Sequence, residues 1–203
     1  MPVLVMGAIL YEDTLQQVHD GDKHRTKHEW WNAHDVEVVR VRFDGKHEPV
    51  HVSFGDYYKR GSNIVVDTKR EIAEIASNVG GKQHKRFREE CIRAMTNGYR
   101  LIILIENNEG IGCLSDLKQW TNKHCRFCSH YRKHVCIPAD TSTTKCRQHG
   151  TRKPIQGERL AKAMSTMSQK YGVRFEFCTP DEAAEMICDL LGVRYERDAT
   201  GGA

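Results

Sequence analysis

Apolar and polar positions along the chain divide into two periods. β-branched and aromatic residues gather in short runs over Val3 to Tyr11, Val36 to Phe43, Val50 to Asp56 and Asn63 to Lys69. Such runs predict strands. "YRLIILIEN" (Tyr99 to Asn107) is continuously apolar, as expected of a central strand covered on both faces. "VRFEF" predicts one more strand. Ile72, Ile75 and Val79 recur at helical spacing just after Lys69, and Gly80-Gly81 ends that helix. A second helix is predicted over His84 to Thr96, stopped by Asn97-Gly98. Leu160, Met164, Met167 and Tyr171 mark a helix over Glu158 to Tyr171. "TPDEAAEMICDLLG" carries helix end signals: Thr179 as N-cap, Pro180 first, Glu182 as the capping-box acid and Gly192 as the stop. The His-rich stretch from Gln16 to Asn32 is polar and predicts no element. Strands mixed with helices in this order predict an α/β domain with a mixed sheet.

The third and fourth strands carry the first candidate chemistry. With Gly61-Ser62 as a two-residue turn, paired positions sum to 123, and Asp56 falls opposite Asp67. Directly opposed side chains sit roughly 5 Å apart, where like charges are destabilising. Period two puts Lys69 on the face of Asp67. A divalent cation would relieve the repulsion, since Mg²⁺ is held by one or two carboxylates plus waters and phosphates. The other reading is a solvated hairpin.

Composition narrows the class. The chain has 203 residues, 39% hydrophobic and 29% charged, with a net charge of +4. That suits one substantial globular domain, or one domain with a small insertion. No apolar run reaches the length of a membrane span. The apolar start, "MPVLVMGAIL", lacks a basic n-region and reads as a buried strand rather than a signal peptide. Of eight cysteines, Cys91, Cys113, Cys178 and Cys188 are scattered and read as small buried hydrophobes.

The other four are clustered. "CRFCSHYRKHVCIPADTSTTKCRQHG" holds Cys125-x2-Cys128 and Cys146-x2-His149, separated by 17 residues. These supply the four thiolate and imidazole ligands of a closed tetrahedral Zn²⁺ site. Cys136 can replace Cys146 or His149. Four protein ligands leave no open position, so this zinc is expected to be structural. Thr121 to Lys153 carries eight Lys/Arg and one acid, a net of +7 before any His charge. Arg126, Arg132, Lys133 and Arg147 are the expected phosphate contacts.

"FGDY" followed by "VDTK" resembles the G-D-Y … E-R-K signature of XPF-type nucleases, a branch of the PD-(D/E)xK superfamily. "LYEDTLQQ" is similar to the family's first strand with its D-x-R-E element. "HKRFREECIRA" resembles its helix after the catalytic lysine, and "LIILIEN" its next core strand. The similarity covers about Val3 to Trp120 and Pro154 to Val193, and is nearest to short stand-alone phage and prophage versions. It implies a restriction-endonuclease-like core with a central mixed β-sheet flanked by helices, plus the small zinc-binding insertion. The implied division is 1–120 and 154–193 for the nuclease core, 121–153 for the insertion and 194–203 for a tail.

By the same resemblance, Asp56 and Asp67 hold Mg²⁺ or Mn²⁺, Lys69 is catalytic, and Asp13 and Glu74 are accessory candidates. Thr68 stands at the family's Arg, Leu15 and Gln16 at the Arg and Glu of D-x-R-E, and Ala73 at the acid four after the lysine. Glu106, at the end of its strand, reads as a carboxylate capping the next loop. The implied activity is endonucleolytic hydrolysis of branched or otherwise structured DNA, in a cytoplasmic setting, with a homodimer through the nuclease fold as a candidate assembly. The alternative is a non-catalytic nucleic-acid-binding or regulatory protein that keeps the fold as a scaffold.

Overall fold

The computed structural model describes residues 9–15, 22–46, 48–133, 136, 146 and 153–196. In chain order its elements are β1 (Leu10–Asp13), α1 (Asp22–Ala33), β2 (Val38–Val41), β3 (Tyr57–Lys59), β4 (Ile64–Lys69), α2 (Ile72–Gly80) and α3 (His84–Thr96). Then come β5 (Arg100–Glu106), the short helices α4 (Leu114–Leu117), α5 (Lys123–Arg126) and α6 (Ser129–Arg132), then α7 (Gly157–Tyr171), β6 (Arg174–Cys178) and α8 (Ala183–Leu191). Val3 to Ala8 of the expected first strand, His149, Arg147 and the tail from 197 lie outside the described residues.

The strands form one mixed sheet in the order β2-β1-β3-β4-β5-β6. β3 runs against both neighbours, and every other pair is parallel. The C-terminal ends of five strands therefore share an edge with the start of β3. Asp13, Asp56, Lys69 and Glu106 all reach that edge, the usual place for a site in an open α/β sheet.

Each sheet face has its own core. Val65, Leu101, Ile103, Ile105, Phe175 and Phe177 pack with buried residues of α2, α3 and α7. Leu10, Tyr57, Val66, Ile102 and Leu104 pack with Trp31 of α1 and Ile187, Cys188 and Leu191 of α8. β5 lies in the middle of this sandwich, buried from Leu101 to Glu106. Fully burying one such aliphatic side chain contributes about 1.5–3 kcal/mol. That is why the run is apolar on both faces.

Three expectations need correction. Val50 to Asp56 is not a strand, although Val50, Val52 and Phe54 are buried. Gly55 adopts φ +72°, and a Cβ there would stand 2.4 Å from Val65 Cγ1, so the backbone turns before β3 begins. The hairpin turn centres on Arg60-Gly61, with Ser62 N–H donating to Lys59 O, rather than on Gly61-Ser62. The register nonetheless sums to 123, with Tyr57 opposite Val66 and Tyr58 opposite Val65. Finally, the helix predicted from Pro180 starts at Ala183. Its Glu182 does accept from Thr179 N and Oγ1, at 2.8 Å each, and Gly192 ends it at φ +64°.

Candidate active site

Asp67 and Lys69 stand two residues apart on β4 and point to the α2/α3/α7 face, at 4% and 8% exposure. Asp67 Oδ2 lies 2.5 Å from Lys69 Nζ as a buried ion pair. Asp56, half-buried, precedes β3. The regular ladder ends at Tyr57, and Asp56 N–H donates to Val66 O at 2.8 Å. Its carboxylate is fixed by Thr68, whose N–H and Oγ1 each donate to Asp56 Oδ2 at 2.7 Å. Thr68 thus anchors a carboxylate here.

Glu90 of α3 was not singled out in the sequence. Its Oε1 accepts from Gly55 N–H at 3.1 Å, and its charge acts on both Asp67 and Lys69. A cleft of about 630 Å³ is lined by Asp13, Asp56, Asp67, Lys69, Glu74 and Glu90, with Arg70, Arg86 and Arg93 along it. The three arginines also escaped the sequence reading. Arg86, Glu90 and Arg93 fall on one α3 face at i, i+4 and i+7, which could have flagged them as a polar stripe.

Three carboxylates facing one ammonium leave surplus negative charge. Burial, with Asp56 and Glu90 nearby, pushes the Asp67 carboxyl well above its ordinary value despite Lys69. Burial opposes the charge on Lys69, but Asp67, Asp56 and Glu90 together hold its ammonium above the ordinary value. Burial and then Asp56 also raise Asp13 against hydrogen bonds from Phe43 and Leu15. Three carboxylates lining one cleft around a single ammonium fit a hard divalent cation with oxygen ligands. Asp56 and Asp67 are the residues that would hold it.

The accessory candidates have local tasks as well. Asp13 Oδ1 accepts from Leu15 N–H at 3.2 Å and Phe43 N–H at 3.1 Å, tying two loops together. Glu74 Oε2 accepts from Arg70 N–H at 2.9 Å. Glu106 does not cap the next loop. It is buried at 1% on the α1/α8 face, where it forms an ion pair with Lys27 of α1.

The cysteine-rich segment lies beside this edge. Cys125, Cys128, Cys136 and Cys146 line one small pocket with Gln156, whose Nε2 donates to Cys125 Sγ at 3.0 Å. Burial raises the Cys125 thiol, with the other three thiols adding to the rise. Lys123 pairs with Glu71 at 2.9 Å, next to Arg70 of the cleft. Arg126 pairs with Glu109 at 2.7 Å, while Arg132 and Lys133 are exposed. The neck closes through Gly157 N–H to Trp120 O, 2.9 Å. Among the described residues, one group of three His, Cys or carboxylate donors has all its donor atoms within 4.8 Å, namely Glu12, His24 and His28. The cysteine sulfurs are not drawn to that spacing.

Among the described residues no helix is long and apolar enough to cross a membrane. Neither a family model nor a curated protein sequence matches the chain. Among solved structures, XPF from Aeropyrum pernix in complex with DNA has a TM-score of 0.51 at 16% identity, covering 91% of this chain and 64% of that one. A second structure, XPF from Aeropyrum pernix, has a TM-score of 0.49 at 15% identity, covering 96% of this chain and 69% of that one. The chain spans under two thirds of the length of the first of these. Its six-stranded sheet flanked by helices has the fold of XPF.

Proposed function

We propose that the chain is a metal-dependent DNA endonuclease acting on branched or otherwise structured DNA. The observation that carries this reading is the convergence of Asp56, Asp67, Glu90 and Lys69 in one cleft along which Arg70, Arg86 and Arg93 also lie. The fold is that of a protein whose solved structure holds DNA.

Thr68 and the β3–β4 hairpin set Asp56 beside Asp67. Mg²⁺ or Mn²⁺ on these carboxylates would supply Lewis-acid activation of the scissile phosphate and the attacking water. Lys69 Nζ orients that water and stabilises the charge that develops on the phosphate oxygens. Its position between acids keeps it protonated, as that role requires. Arg70, Arg86 and Arg93 meet backbone phosphates and set the strand's register, without reading sequence.

The insertion completes the proposal. Cys125, Cys128 and Cys146, with Cys136 or His149 as fourth ligand, would bind a structural Zn²⁺. The shared pocket supports three of the expected ligands plus Cys136. The segment has few apolar side chains, so metal binding would supply much of its folding free energy. Arg132 and Lys133 would then lie alongside the cleft, where Lys123 is tethered to Glu71.

The test is a panel of labelled flap, fork, junction and linear DNAs with the purified chain and Mg²⁺ or Mn²⁺. Chelator-sensitive internal cleavage of the branched forms is expected. Binding without cleavage under either metal would favour the scaffold reading instead.

A further inference from the structure

On the opposite sheet face from the cleft, α1 packs a polar stripe against β1 and β5. His24, Lys27, His28 and Trp31 follow at helix spacing. Lys27 pairs with Glu106, and Trp31 Nε1 donates to Ala184 O at 3.1 Å. The two histidines meet Glu12 of β1, which has 0% exposure. His24 Nδ1 lies 3.3 Å from Glu12 Oε1, and His28 Nε2 lies 3.0 Å from Glu12 Oε2.

We propose that Glu12, His24 and His28 form a second metal site, for a divalent transition-metal ion that the donor set identifies as zinc. Three observations carry this. First, all three donor atoms lie within 4.8 Å of one another. Zinc bonds of about 2.0–2.1 Å in a tetrahedral shell place ligand atoms about 3.4 Å apart, so the donors close by at most about 1.4 Å. Second, histidines at i and i+4 present two imidazoles from one helix face to a single ion. Third, the carboxylate already has the outer partners that orient a ligand. Arg40 Nε lies 3.2 Å from Oε2, and Tyr57 OH lies 3.4 Å from Oε1. Such partners fix ligand orientation and tune the metal.

His28, with its side chain at 32% exposure, gives the ion a way in. Three protein ligands leave one coordination position for water. The site is separate from both the acidic cleft and the cysteine pocket.

The test counts metal on the full chain. Chelator-stripped Cys125→Ser/Cys128→Ser protein is titrated with Zn²⁺, so that the cysteine pocket does not contribute. One tightly bound equivalent is expected, and adding His28→Gln or His24→Gln should remove it without changing the helical circular dichroism. No zinc uptake by the cysteine variant would overturn the site, as would one equivalent that neither histidine substitution disturbs. Should the cysteine variant fail to fold, Co²⁺ added to the unaltered chain decides. A decrease in visible d–d absorption in His28→Gln, with thiolate-to-cobalt charge transfer unchanged, supports the site, while identical spectra overturn it. DNA cleavage plays no part in this readout, so failure here is distinguishable from failure of the nuclease reading.

Discussion

On the α2/α3/α7 face, Asp56, Asp67 and Glu90 share the single ammonium of Lys69. On the α1/α8 face, Glu12 and Glu106 meet Arg40, Lys27 and two imidazoles. Both clusters lie at the same sheet edge and both are buried. The first is short of positive charge, the second is not. Burying an ionised group is costly unless a partner compensates it. The first face therefore calls for a hard dication and oxygen chemistry. The second can hold its carboxylate without metal and offers nitrogen donors, which suit a softer ion.

The largest expected effect breaks the first cluster. Asp67→Asn or Lys69→Ala should lower Mg²⁺-dependent cleavage by about 1,000-fold, the scale of losing one transition-state contact. The helical signal should be retained. Cleavage at the rate of the unaltered chain, measured on labelled DNA, would remove these residues from the mechanism.

Gly157→Ala tests the neck that joins the insertion to the shared core. A Cβ there would stand 1.9 Å from Leu117 O and 2.6 Å from Trp120 O. Neither backbone oxygen can move without opening the neck, so a loss of about 3 kcal/mol is expected. A denaturant midpoint equal to that of the unaltered chain would refute the close approach.

Acid surplus also has a pH signature. The Asp67 carboxyl is raised above its ordinary value of 3.8, so the native state holds that proton more tightly than the unfolded chain. Its contribution to stability is full below that value and is lost as pH rises through the raised one. Glu90→Gln removes one of the carboxylates responsible, so the metal-free melting temperature should fall less steeply with rising pH in this variant. Added Mg²⁺ should flatten the fall in the unaltered chain. Parallel melting curves for the two chains would show that Glu90 does not act on Asp67.

The smallest effect sharpens the comparison. Thr68→Val keeps the N–H bond to Asp56 and deletes the hydroxyl bond. A loss of about 1–2 kcal/mol in stability is expected, with cleavage weakened about tenfold. No change in either would mean that the backbone amide alone positions Asp56.

The two faces also differ in how far their sequence reveals them. The β3–β4 register rests on a local turn and a period-two pattern, so Tyr57 opposite Val66 was legible even with the turn misplaced by one residue. α3 was legible because Asn97-Gly98 stops it clearly, and Phe87, Cys91 and Ala94 are buried at helix spacing. α1 was not, because its inward face carries His24, Lys27 and His28 beside the buried apolar Trp31. Glu12 and Glu106, distant in sequence, give those polar side chains their buried partners. Glu90 was hidden for a similar reason. Nothing in its spacing relates it to Asp56 or Asp67, and tertiary packing alone brings them together. Val50 to Phe54 alternated like a strand and was buried like one, but Gly55 turned the chain before any ladder formed.

The account rests on Asp56 and Asp67 as carboxylates that share a cation. Calorimetric titration of Mn²⁺ into the chelator-stripped chain, beside an Asp56→Asn/Asp67→Asn variant, tests this most directly. The account predicts that the unaltered chain binds Mn²⁺ at this site and that the variant loses that binding while melting at the same or a higher temperature without metal. Equal Mn²⁺ uptake by the two chains would contradict it.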